Sequence, residues 1–182
     1  MAAITTGEIL FKLSTKSGSA GNTQTSTPAG SLGLYISTTA WAGGSANDLF
    51  DDISGAENAA STVDYRCIFI HNSNGANALQ NAVAYLSAEV AGGASIAIAA
   101  DNIAPSAIGS ASAQAASIAT ETTAPSGVGT FSSPTTAGTG IALGNIGSGQ
   151  TKALWVRRTA ANTAALSNDG VTIAVTGDTG SL

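Results

Sequence analysis

The large apolar residues of this chain come in short runs, and each run ends at a Gly-, Asn- or Ser-rich connection where the backbone can turn. Asp64 to Asn72, Asn81 to Ser87, Ser95 to Ala100, Gly140 to Leu143, Lys152 to Arg158 and Val171 to Val175 are such runs. At about 3.3 Å per residue each has strand length. The clearest strand is Asp64 to Asn72, DYRCIFIHN, with Tyr65, Cys67, Phe69 and His71 on one face and Arg66, Ile68, Ile70 and Asn72 on the other. Its centre is apolar on both faces, which suits an interior strand covered on two sides. Asn72-Ser73-Asn74-Gly75 follows, with residues that tolerate positive φ, and predicts a tight hairpin into a return strand over Asn81 to Ser87. Gly140 to Leu143 and Lys152 to Arg158 flank the Gly-rich Gly144 to Gly149 and predict a second strand pair. Within KALWVRR, Ala153, Trp155 and Arg157 share one face and Leu154, Val156 and Arg158 the other, so this strand is expected to begin buried and end in solvent. Asn168-Asp169-Gly170 turns the chain into a last strand, Val171 to Val175. About six to eight short strands joined this way make an all-β fold, a β-sandwich or jelly roll. The expected core is Tyr65, Ile68, Phe69, Ile70, Trp155 and Val156.

With 182 residues the chain fits a single core. Ser17 to Asn47 and Thr122 to Thr151 carry no charge and are rich in Gly, Ser and Thr. The first suggests either an extended arm over residues 1–45 that orders on a neighbouring subunit or a floppy terminus, ahead of one sandwich domain over 46–182. Leu32, Leu34, Tyr35, Ile36 and Trp41 are large apolar residues among small ones in that arm, and mark it as a candidate interface. Ser106 to Thr120 is Ala-rich but broken by Ser and Gly, and would bury little as a helix.

Charge is scarce: Asp, Glu, Lys and Arg make up 9% of the chain, against about 25% in an ordinary domain. Six basic residues and a net charge of −5 argue against a nucleic-acid surface. The polar residues scattered through Asn102 to Thr120 argue against a membrane helix there. MAAITTGEILFK lacks the basic start and unbroken apolar segment of a signal peptide, so synthesis in the cytoplasm is expected. Cys67 has no second cysteine to pair with, so no internal disulfide staples the fold.

The catalytic constellations fail one by one. Cys67 and the single His, His71, are separated by about 13 Å on a strand, too far for a thiolate–imidazole dyad. The chain has no G-x-S-x-G elbow, and Gly138-Thr139-Gly140 lacks the third glycine of a dinucleotide loop. Asp48, Asp51 and Asp52, with Glu57 and Asp64 nearby, supply oxygen ligands in the manner of a calcium site but not at EF-hand spacing. The alternative is a solvated turn whose Leu49, Phe50 and Ile53 dock on the core. Arg157 and Arg158 are candidates for pairs with carboxylates across a subunit interface. These observations lead to no enzyme, no cofactor and no metal.

Three segments resemble parts of small structural proteins of tailed bacteriophages: NDLFDDISGAENAASTVDYRCIFIHNSN, TAPSGVGTFSSP and GIALGNIGSGQTKALWVRR, spanning Asn47 to Arg158 with gaps. The resemblance implies a β-sandwich virion component without a catalytic motif. It implies most directly a capsid decoration or cement protein on the virion surface, bound to the major capsid protein; a closed symmetric oligomer of the chain, a trimer at a threefold position for instance, would bury the large apolar residues of the arm. A tail, baseplate or fibre-associated protein fits the same resemblance. A carbohydrate-binding sandwich would want exposed aromatic residues, which this chain, with 5% aromatics, has few to supply.

Overall fold

A computed structural model describes residues 3–18 and 23–180. The chain is all-β: two antiparallel sheets face each other in a sandwich. The strands are β1 (Ile9–Thr15), β2 (Tyr35–Ala40), β3 (Val63–Asn72), β4 (Ala78–Glu89), β5 (Ser95–Ala100), β6 (Ser106–Ala107), β7 (Ile141–Ile146), β8 (Gln150–Thr159) and β9 (Val171–Gly180). Among the described residues one α-helix, α1 (Gly55–Ala60), precedes β3. Ser54 caps it by accepting from the Glu57 N–H, and the Glu57 carboxylate reaches back to the Ser54 N–H.

The large sheet runs β2-β1-β3-β8-β5, with β6 also on β8, and the small one runs β7-β4-β9. β3 is interior, between β1 and β8, as its doubly apolar pattern requires. Its Ile68 and Ile70, with Leu13, Leu154, Val156 and Ile98, meet Leu79, Ala84, Leu86, Leu143, Ile146 and Ile173 of the small sheet. Side chains of this size contribute about 1.5–3 kcal/mol each when fully buried.

The other face of the large sheet is also covered, by irregular chain. Cys67, Phe69, Ala153 and Trp155 pack under Leu32, Ile36, Ala115, Ile118, Val128 and Phe131. Residues 101–134, the Ala-rich piece included, therefore serve as a third layer rather than a helix. Of the expected core, Ile68, Phe69, Ile70, Trp155 and Val156 are fully buried. Tyr65 is half-buried, edge-on to Phe131 with ring centroids 5.5 Å apart.

Several expectations need correction. Residues 1–45 do not form an arm: β1 pairs with β3 and β2 with β1, so both belong to the large sheet. Met1, Ala2 and residues 19–22 of that stretch lie outside the described residues. Neither predicted hairpin forms. β4 pairs with β7 and β9, not β3, and β7 pairs with β4, not β8. Both Gly- and Asn-rich connections carry the chain from one sheet to the other.

Asparagine side chains shape the first crossing without any positive φ at residues 72–75. Asn72 Nδ2 donates to the carbonyls of Asn77, Ile146 and Gly147 at 2.8, 3.0 and 3.2 Å, and Asn74 Oδ1 accepts from the N–H groups of Ala76 and Asn77. This is turn chemistry of the Asx kind, put to use between layers.

Candidate interaction surface

Most of the charged side chains on the large sheet are consumed inside the molecule. Arg66, 1% exposed, pairs with Glu121 of the covering layer. Arg158, 7% exposed, donates to Asp64 Oδ2 from Nη2 at 2.7 Å and from Nε at 3.2 Å. It also donates to the Asp51 carbonyl and reaches Asp51 Oδ1 at 3.4 Å. The Phe50 ring lies between the two guanidiniums, 4.8 Å from that of Arg158 and 5.5 Å from that of Arg66. Register explains the gathering: Asp64 is directly opposite Arg158 on the face shared with Arg66. The strand KALWVRR thus ends buried rather than in solvent.

On the opposite face Asp101, 1% exposed, organises the covering layer. Its Oδ2 accepts from Trp155 Nε1 at 2.9 Å and from the Ala116 N–H at 2.7 Å, and its Oδ1 accepts from the Ile103 N–H at 2.9 Å. Lys152 Nζ donates to the carbonyls of Asp101 and Ile103, both at 2.6 Å. Burial lowers the Lys152 pKa, and the Asp101 charge works against that. Ser31 fastens residues 28–34 to the sheet, donating to the Cys67 carbonyl at 2.5 Å and accepting from the Ser14 N–H at 2.9 Å.

The residues expected at an interface are divided by this arrangement. Ile36 is fully buried and Leu32 packs with it on the covered face. Leu34 and Tyr35 are half-buried; the Leu34 carbonyl accepts from the N–H groups of Gln114 and Ala115. Trp41 is edge-on to Phe11, centroids 6.0 Å apart. Arg157 is stacked 5.3 Å over Phe131, and the carboxylate partners of Arg158 belong to its own chain. All seven are therefore engaged within the chain.

The acidic group is split in the same way. Asp51 pairs with Arg158, Leu49 is buried and Phe50 is half-buried, so the docked turn describes these residues, although residues 47–53 are not helical. Among the described residues no group of three or more His, Cys, Asp or Glu is arranged to hold a metal.

Two surface features were not singled out from sequence. One is a groove of about 1200 Å³ between residues 41–53 and 161–173, with Phe11, Trp41, Phe50 and Ile173 in its walls and Val90 and Leu166 exposed along it. The buried Nε1 of Trp41 has no partner there among the described residues. The other is the outer edge of β9, whose strand partner among the described residues is β4 alone.

The remaining sheet edges are guarded. Along β2, the Thr38 N–H donates to the Gln24 carbonyl at 2.7 Å and Thr39 Oγ1 accepts from the Ser26 N–H at 2.9 Å. Along β5, Ile98 and Ser132 exchange backbone bonds of 2.8 and 3.1 Å, and the Gly129 N–H reaches the Ala100 carbonyl at 2.8 Å. β7 approaches β5 of the facing sheet, where the sandwich closes. Unpaired edges of this kind are readable from sequence only once strand order is known. No protein-family model, curated protein or solved structure matches the chain.

Proposed function

We propose that this chain is a bacteriophage virion structural protein, a decoration or cement protein bound over the major capsid lattice. The observation that carries the reading is the use made of the scarce ionisable residues. Arg66, Arg158, Asp64, Asp101 and Lys152 are buried and spent on fastening loops to the central sheet, which makes a shape-holding block.

The segments that resemble phage structural proteins fold into that block: β3, the strip guarding β5, β7 and β8. Uncharged loops, such as the exposed residues 161–167, let neighbours approach without stripping water from ions, which costs several kcal/mol per unpaired charge. In a lattice, many copies of a modest contact hold firmly. The partners in this reading are the major capsid protein and further copies of the chain, on the virion surface.

The test is the number of copies per purified virion, measured by quantitative mass spectrometry against the major capsid protein. A simple lattice fraction supports the reading. A handful of copies moves the chain to the tail or baseplate, and absence from particles ends the virion reading.

A further inference from the structure

β9 is the second feature the proposed function does not use. It is ten residues long, and its outer edge carries none of the usual defences: no Pro, no Lys and no covering segment among the described residues. Its one charged residue is Asp178, whose Oδ2 accepts from Asn81 Nδ2 at 3.2 Å. The Ile4 N–H meets the Thr179 side-chain hydroxyl and leaves the backbone of β9 open. The other long edges of this molecule are guarded, so a bare one calls for an occupant.

We propose that the occupant is β9 of a second copy, paired antiparallel about a two-fold axis at Val175. The pattern of the strand is self-complementary in that register. Val175 would face Val175 and Ile173 would face Gly177 on the core side, while Thr172 would face Asp178 and Ala174 would face Thr176 on the outer side. Ile173 is buried and Val171 and Val175 are half-buried, whereas Thr172, Thr176 and Asp178 are exposed, so every pair matches in face and the central Val175 pair is apolar, while the end pair sets half-buried Val171 against exposed Thr179. The two Asp178 carboxylates lie at opposite ends, each beside a threonine hydroxyl, and no like charges oppose. Two three-stranded sheets would become one of six, with both bare edges removed. Such an isologous edge closes at two copies rather than three, so the pairing contact is a dimer and not the trimer that burial of an apolar arm suggested. The inference stands on the strand itself and does not depend on the virion reading.

Sedimentation equilibrium on the full chain, from micromolar to sub-millimolar concentration, should give twice the 17.6 kDa of one chain. A double variant, Ala174→Lys with Thr176→Lys, places four ammonium groups around the axis on the outer side. It should weaken dimerisation by about a hundredfold or more, equivalent to about 2.7 kcal/mol, while circular dichroism and the melting curve show the sandwich intact.

Oxidised Val175→Cys should run as a linked dimer, because directly opposed β carbons lie within reach of a disulfide. Thr172→Cys should not, and the buried Cys67 does not compete. A wild-type monomer or trimer throughout, a dimer indifferent to the two lysines, or crosslinking at Thr172→Cys in place of Val175→Cys would each overturn the proposal.

Discussion

Trp155 and Asp101 show how one buried contact organises a whole layer. The indole donates to a carboxylate that also holds two backbone N–H groups of the covering chain, with the Lys152 ammonium close by. Asp101→Ala leaves those donors orphaned and the ammonium uncompensated, and should cost about 3–5 kcal/mol in urea unfolding. Trp155→Phe keeps most of the packing and removes one hydrogen bond to the carboxylate, for about 1.5–3 kcal/mol.

Cys67, on the same face, gives a pH signature. Burial raises its pKa well above 9.0, and the Asp101 charge adds to that. Above pH 9 the unfolded chain therefore loses a proton that the folded chain keeps. Stability from this group is fully present below the unfolded value and is lost as pH climbs toward the folded one, by at most about 1.4 kcal/mol per pH unit. Lys152, lowered by burial, pulls the other way in the alkaline range. The difference between wild type and Cys67→Ala isolates the thiol: the variant should lose stability less steeply above pH 9 in denaturant titrations.

At the scale of elements, two loops are locked onto the sheet by different means. Residues 47–53 hang on Arg158 through Asp51 and Phe50, so Arg158→Met should free that loop and leave Asp64 buried without its partner. The expected loss is about 3–5 kcal/mol, together with new protease cleavage within 47–53. Residues 28–34 approach the covering layer so closely that Gly33, at φ +91, has no room for a β carbon. An added one would stand 1.9 Å from the Ala116 carbonyl oxygen and 3.0 Å from the Trp155 ring. Gly33→Ala should therefore cost about 2 kcal/mol or more. Gly75→Ala, with open space and ordinary φ, should be close to neutral.

Strands were legible because their signal is local: the DYRCIFIHN alternation placed β3 in the interior, and SIAIAA matches β5 residue for residue. Pairing was not, because Asn72 to Gly75 and Gly147 to Gly149 serve a crossing between layers as readily as a hairpin. The supposed arm failed for a related reason. Apolar residues set among small ones look unpartnered until the Ala-rich segment is known to lie over them. Arg158 read as a solvent end of its strand because Asp64, its partner, lies 94 positions away.

For the whole molecule, strand order departs widely from chain order. β8 is interior to the large sheet, joined to β3 on one side and to β5 and β6 on the other, and the earlier strands β1 and β2 reach it only through β3. Removing residues 1–30 would take away β1 and bare the edge of β3, so that deletion should abolish cooperative unfolding rather than spare a sandwich. A ribosome that has finished β3 must add 77 more residues before the first residue of β8 exists. Until then β3 and β5 have no strand to join them, and their apolar faces stay open to water and to other nascent chains. The large sheet must wait for β8, and the slow closure of such distant contacts makes this a protein whose yield in a cell depends on what shelters it in the interval.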